Sequence, residues 1–302
     1  MLANKIKNRE SGVVLYGIVP PKKGTDANKV KEIAALQIQR LQSLNLDGLV
    51  IYDIQDEKSR TSEARPFPFL ETLDSFSYSE DHLSSLAIPK IIYRSVGKYS
   101  KPELSKFISC AAEKGDLTVF VGASSKSQKV TMSVSEAYSL KREVNQKLLL
   151  GGVTIPERHQ TKKDEHIRVF KKISQGCSFF VSQGVYDVNA SKNFLSDYYY
   201  YGQEHGIPLV PIIFTLTPCG SLKTLQFMKW LGISIPPWLE NELVHSNDIL
   251  QQSVNFSAQN WQELKAFADD KNIPIGCNIE SVAVRKVEVE AAIELLQRVS
   301  KL

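Results

Sequence analysis

The chain is poor in cysteine, and its four, Cys110, Cys177, Cys219 and Cys277, lie far apart with no CxxC spacing. That argues against a disulfide framework or a zinc ribbon and predicts buried, reduced thiols. Charge imbalance is slight: 37 basic against 33 acidic residues leave +4, spread along the chain. Without a basic stripe, nucleic acid is not an expected partner, and only a mild bias toward anionic ligands remains. Long hydrophobic runs are missing too. Val13 to Pro21 is too short to span a bilayer, and no apolar signal core follows the polar, basic stretch Met1 to Gly12. A cytoplasmic protein with no membrane partner is expected, and homo-oligomerisation is left open.

The short motifs of several chemistries are also absent. No GxSxG elbow and no phosphate-binding P-loop occur, and no GxGxxG is found, so a Rossmann-bound nucleotide is not expected. The five histidines include His159 and His166, seven apart, but no HxxxH or HxH pair. No metal site is expected from spacing. Linkers rich in Gly, Ser or Pro, low-complexity segments and repeats of 20–50 residues are likewise missing.

What the chain does have is alternation. Short β-branched runs read as strands at Val13–Val19, Gly48–Asp53, Lys90–Arg94, Leu117–Val121, Lys147–Ile155, Ser178–Gln183, Leu209–Phe214 and Ile273–Ile279. Between them lie amphipathic stretches. Asp26–Leu44 repeats Val30, Ile33, Ala34, Ile38 and Leu41 at helical spacing, and others cover Phe69–Phe76, Lys101–Lys114, Ser133–Asn145, Lys163–Gln175, Ser191–His205 and Ser221–Leu231. A last helix presents Val284, Val287, Ala291, Leu295 and Val299. Eight strand–helix units predict an α/β fold, a single-domain (β/α)8 TIM barrel over residues 1–302, with an extra helical excursion over 234–272 before the eighth strand.

Such a barrel carries its chemistry on the loops after the strands. The loop after the second strand is the most heavily charged, with Gln55, Asp56, Glu57, Lys58, Arg60, Glu63 and Arg65 ahead of Pro66-Phe67-Pro68-Phe69. A charged loop is commonly just solvated, but the aromatic–proline segment would anchor this one at the rim. After the fifth strand, Glu165, Arg168 and Lys172 are spaced three and four apart and share one helical face. They read either as a solvated face with one Glu–Arg pair or as a grip on a phosphate or pyrophosphate.

At these positions the sequence resembles the methylenetetrahydrofolate reductases. The matching stretch runs from Gly151 to about Leu239. It contains Pro156-Glu157-Arg158-His159, Glu165, Arg168, Lys172, Gly176, Phe179-Phe180-Val181-Ser182-Gln183 and Asp187, then Pro208-Leu209-Val210-Pro211-Ile212 and Gly232-Ile233-Ser234-Ile235-Pro236-Pro237-Trp238. Pro20-Pro21 is the clearest point in the first half. The resemblance implies an oxidoreductase of one-carbon metabolism, supplying methionine biosynthesis. It would move hydride from NADH or NADPH, through FAD or directly, to 5,10-methylenetetrahydrofolate. It gives Gln183 the pterin, with Tyr186 and Asp187 beside the folate, and gives His159, Glu165, Arg168 and Lys172 to the FAD wall.

Two acids of the family pattern are replaced. Its first-strand Phe-Glu-Phe-Phe-Pro-Pro is here Tyr16-Gly17-Ile18-Val19-Pro20-Pro21, and its Arg-Gly-Asp after the fourth strand is Val121-Gly122-Ala123-Ser124-Ser125. Three readings follow: a reductase whose acid has moved to Glu63, or to Asp53, Glu57 or Glu280; a flavin-independent reductase; or a folate- or nucleotide-binding barrel that serves as sensor or accessory subunit.

Overall fold

A computed structural model describes residues 1–56, 61–123 and 128–301; the candidate acid Glu57 lies outside them. Eight parallel strands close into a barrel in sequence order: β1 (Val13–Ile18), β2 (Gly48–Ile51), β3 (Lys90–Ser95), β4 (Leu117–Val121), β5 (Leu150–Thr154), β6 (Cys177–Gly184), β7 (Ile212–Leu216) and β8 (Ile275–Glu280). The helices between them are α2 (Ala27–Leu41), α3 (Ser75–His82), α4 (Lys101–Lys114), α5 (Val134–Val144), α6 (His159–Lys162), α7 (Glu165–Ser174), α8 (Val188–His205) and α9 (Leu222–Trp230). α10 (Pro237–His245) and α11 (Ile249–Asp270) stand between α9 and β8, α12 (Lys286–Val299) follows β8, and α1 (Leu2–Lys7) precedes β1. Among the described residues no helix is long and apolar enough to cross a membrane.

The contacts fall into two compact units. One comprises Met1–Ala3, Gly17–Ala64 and Pro68–Gly151, the other Asn4–Tyr16, Arg65–Phe67 and the chain from Gly152 onward. In the first, β2 is buried along its whole length and reads Gly-Leu-Val-Ile, the unbroken apolar run of a strand covered on both faces. It registers with β3 through Leu49↔Lys90, Val50↔Ile91 and Ile51↔Ile92. Against this sheet α4 buries Leu104, Phe107, Ile108 and Ala111; Ser100 and Glu103 form its capping box, and Gly115 ends it at φ +75°.

In the second unit a polar layer links three strands. Thr215 donates its N–H to Ser182 Oγ (2.9 Å) and its hydroxyl to the Ser182 carbonyl (2.7 Å), and accepts from Asn278 Nδ2 (3.1 Å). Gly276 allows a close strand approach, since a Cβ there would lie 2.4 Å from the Val13 carbonyl oxygen.

Three of the differences from the sequence reading have a local cause, and others include β5, which begins at Leu150 and not Lys147, and α8, which begins at Val188 and not Ser191. The helix expected at Phe69–Phe76 begins at Ser75, because residues 71–73 are extended: Lys23 N–H meets the Glu71 carbonyl and Leu73 N–H the Pro21 carbonyl, each at 2.8 Å. Asp74 then caps the helix through Ser77 N–H. The strand expected at Leu209 begins at Ile212, after Pro208 and Pro211, which have no N–H for a ladder. α1 is a single short helix whose Leu2 and Ile6 are buried, two apolar positions too few to read as a period.

Candidate functional site

In the second unit the chemistry gathers where β5 and β6 end. Glu157, 7% exposed, sits in the short turn Pro156–Arg158 after β5. Its Oε1 accepts the N–H groups of Tyr186 (2.8 Å) and Asp187 (2.9 Å), and its Oε2 accepts that of Ser234 (3.0 Å). Burial pushes this carboxyl up to about 7, against the pull of those N–H groups toward the anion. One side chain thus pins the loop leaving β6 to the segment that follows α9.

Gln183, near the end of β6, is held between these two pinned segments. Its Nε2 donates to the Leu231 carbonyl at 2.7 Å, while its Oε1 is buried and accepts nothing. The side chain is half-buried. An amide fixed by its donor with its acceptor unspent is set to receive an N–H.

Tyr186 and Asp187 lie close in sequence but do different work. Tyr186 is 0% exposed in an apolar cluster with Cys219, Leu225, Met228 and Ile233, and its hydroxyl donates to the Thr217 carbonyl at 2.7 Å. Burial raises its phenol well above the usual value. It supports the loop from beneath. Asp187 caps α8 through Ala190 N–H (3.0 Å) and accepts from Gln160 Nε2 (2.8 Å).

The helical face Glu165, Arg168, Lys172 runs from a buried carboxyl through a half-buried ammonium to an exposed guanidinium. Glu165, 1% exposed, accepts from Thr154 Oγ1 (3.1 Å) and Ile155 N–H (2.9 Å) through Oε1, and its Oε2 faces Arg168 Nε at 3.3 Å and Arg158 at 3.6 Å. Lys172 donates to the Val153 carbonyl, with Phe180 beneath its ammonium. Burial lowers its pKa, partly countered by Glu165. His159 makes a 2.9 Å hydrogen bond from Nε2 to Asp197 Oδ2, and its ring meets that of His166 edge-on. His166 is pushed toward its neutral form, first by burial and then by His159. The link to Asp197, 38 residues away on α8, has no local signal in the sequence.

The first unit carries its own polar centre. Asp53, 8% exposed just past β2, accepts from Ser95 N–H (2.8 Å), Tyr99 hydroxyl (2.9 Å) and Lys98 Nζ (2.5 Å). Beside it Arg94 pairs with Asp74, donates to Tyr99 Oη (2.9 Å) and lies over the Phe107 ring. Burial acts to raise Asp74, but Arg94, the Ser77 N–H and the Tyr99 hydroxyl together outweigh it and the net shift is downward. Glu63 is exposed; in the other unit, Glu280 is half-buried at the end of β8. Gln55 Nε2 donates to the Gly122 carbonyl at 2.9 Å, in the loop where the family pattern has an acid.

Comparison with known proteins gives a family and a strong structural likeness. The family model described as methylenetetrahydrofolate reductase matches residues 112–266. A solved structure from Clostridium thermocellum, of an uncharacterised protein that binds two copies of 5-methyl-5,6,7,8-tetrahydrofolic acid, is 51% identical with a TM-score of 0.88, covering 100% of this chain and 99% of that one. A 2,3-dimethylmalate lyase (11% identity, TM-score 0.44, covering 98% of this chain and 93% of that one) and a putative deoxyribose-phosphate aldolase from Toxoplasma gondii ME49 (10%, 0.42, 98% and 95%) are too distant to carry any argument. No curated protein matches.

Proposed function

The chain belongs to the methylenetetrahydrofolate reductase family, and from that premise we propose that it binds a reduced folate, reads the pterin with Gln183, and reduces the 5,10-methylene group with hydride taken directly from a reduced nicotinamide. The observation that carries the folate reading is the buried, unspent Oε1 of Gln183 at the end of β6. A pterin edge presents N–H donors, and an amide oxygen whose own Nε2 is already fixed is an acceptor for one. The C. thermocellum relative, which binds a methylated reduced folate, supports the ligand class.

The reduction breaks the bond between the methylene carbon and N10. A proton goes to N10, the hydride goes to the carbon, and 5-methyltetrahydrofolate and oxidised nicotinamide leave. NADH or NADPH enters as a substrate. A flavin does not fit the residues that the resemblance assigns to it. Lys172 is spent on Val153 and His159 on Asp197, Glu165 sets a buried carboxylate among them, and the exposed Arg168 faces that carboxylate through Nε. We therefore route no step through FAD.

The proton donor is a relocated acid drawn from Glu63, Asp53, Glu57 and Glu280. Asp53 suits the task least, since both its oxygens already accept and Lys98 is among the donors. Glu280 suits it well, standing half-buried at the end of a barrel strand.

Purified protein mixed with methylenetetrahydrofolate and NADH or NADPH tests the reading. Folate-dependent nicotinamide oxidation by a colourless protein is expected, and flavin absorbance in the active protein would overturn the direct route. Glu280→Gln is expected to abolish turnover and keep folate binding; full activity in that variant moves the role to Glu63 or Glu57. A second reading is favoured by Gly17, where the family acid is missing: a folate-binding barrel without catalysis, acting as sensor or accessory subunit. A melting temperature raised by 5-methyltetrahydrofolate, with no turnover under any nicotinamide, would select it.

A further inference from the structure

Apart from the folate reading, the described residues bring one set of metal-binding side chains together. His159 opens α6, His166 lies in the first turn of α7 and Asp197 is on α8, and their ligand atoms all lie within 4.8 Å of one another. The two imidazole centres are 5.2 Å apart, with planes at 79°. Two imidazoles on one tetrahedral ion, each at the usual zinc–nitrogen distance, have centres about 5 Å apart. His159 Nε2 and Asp197 Oδ2, at 2.9 Å, stand close to the edge of about 3.3 Å that separates two ligands of such an ion. Nδ1 of each ring is buried and makes no hydrogen bond, so no partner on that atom holds either ring in place.

We propose that His159, His166 and Asp197 form a site for one divalent transition-metal ion, zinc first, which ties α6, α7 and α8 together. Two nitrogens and one oxygen suit zinc; calcium and magnesium take sets of oxygen ligands. His159 is 3% exposed and forms the floor, while Asp197 is exposed and His166 half-buried, so an ion can enter from solvent. Phe194 and Tyr201 pack against the two rings and shield the site from the side. The remaining coordination position is open to water.

The test uses the full chain, stripped with a chelator and titrated with cobalt(II) alone and zinc alone. One ion per chain, with the visible absorption of tetrahedral cobalt, is expected. His166→Ala and Asp197→Asn should each weaken binding by more than the roughly 10- to 100-fold that loss of an outer-shell partner costs, and His245→Ala, on α10, should leave it unchanged. Zinc should raise the melting temperature of the parent and not of Asp197→Asn, while metal-free samples of both melt alike. Lack of stoichiometric binding, or unchanged affinity in both ligand variants, overturns the proposal. The readout needs no folate, so it stands or falls apart from the reductase reading.

Discussion

Two buried carboxylates follow two barrel strands and are held in opposite ways. Asp53, past β2, is met by a lysine ammonium, a phenol and one backbone N–H. Glu157, past β5, is met by three backbone N–H groups from two separate segments, with no cation among its hydrogen-bond donors. The first arrangement balances charge with charge, and its lysine, 40% exposed, keeps access to water. The second uses a carboxylate as a clamp on main chain, at the cost of burying it without a counterion, and the rise of Glu157 to about 7 is the consequence. A clamp of this kind defines where a loop sits, and the loop in question leaves β6 just after Gln183.

The largest expected effect follows from that asymmetry. Glu157→Ala leaves three N–H groups without an acceptor, at about 1–3 kcal/mol each where they stay dry. A total loss of about 3–5 kcal/mol is expected in urea unfolding. Asp53→Ala should cost less, about 1–2 kcal/mol, because Lys98 can turn to solvent once its partner is gone. The reverse order of the two losses would break the comparison.

The second test is pH. A carboxyl raised in the fold from 4.5 to about 7 binds more protons folded than unfolded. Its contribution is therefore full below 4.5 and is lost as pH rises through 7. Glu157→Gln does not titrate. The stability of the parent relative to that variant should fall by about 2–3 kcal/mol between pH 4.5 and 7.5. A flat difference over that window would mean that the three N–H groups hold the anion well enough to cancel burial.

How far the sequence reaches can be judged from the same two centres. The strands are legible because a parallel strand covered on both faces is one apolar run, as in Leu49-Val50-Ile51, and one boundary error, at Pro211, falls where proline removes a ladder donor. Short elements such as α1 and α6 offer too few positions for a period to show. Gln183 and Asp53 are visible as polar residues at strand ends. Their partners are not: Leu231 lies 48 residues from Gln183, Lys98 45 from Asp53, and Asp197 38 from His159. Those pairings arise from barrel closure and helix packing, and local spacing holds no trace of them. The Glu165, Arg168, Lys172 face shows the converse. Its spacing is as legible as any motif, yet Glu165 turns inward on Thr154 and Lys172 on Val153, and the exposed Arg168 faces Glu165.

A third test asks whether the clamp serves binding. Gln183→Ala removes the pterin acceptor and one half-buried amide, so stability should change by less than about 1 kcal/mol while 5-methyltetrahydrofolate binds roughly 10- to 100-fold more weakly. Unchanged affinity, measured by calorimetry, would remove Gln183 from the pterin. Glu157→Gln sharpens the point. It should weaken folate binding through Gln183 alone, so in the double variant with Gln183→Ala the two losses should not add.

The smallest effect belongs to the charged centre. Tyr99 donates its hydroxyl to Asp53 and accepts from Arg94, and burial drives its phenol upward. Tyr99→Phe deletes these bonds and the longer one to Asp74 (3.2 Å), and keeps the ring over which Arg94 lies. Asp53 retains Lys98 and Ser95, and Arg94 retains Asp74, so no charge is left alone. A loss of about 1 kcal/mol is expected, equal at pH 5 and pH 8 because a neutral hydroxyl has been removed from a compensated network. A loss of about 3 kcal/mol would mean that Tyr99 is itself the clamp, joining Asp53 and Arg94 as Glu157 joins its two loops, and the contrast between charge pairing and main-chain clamping would fail.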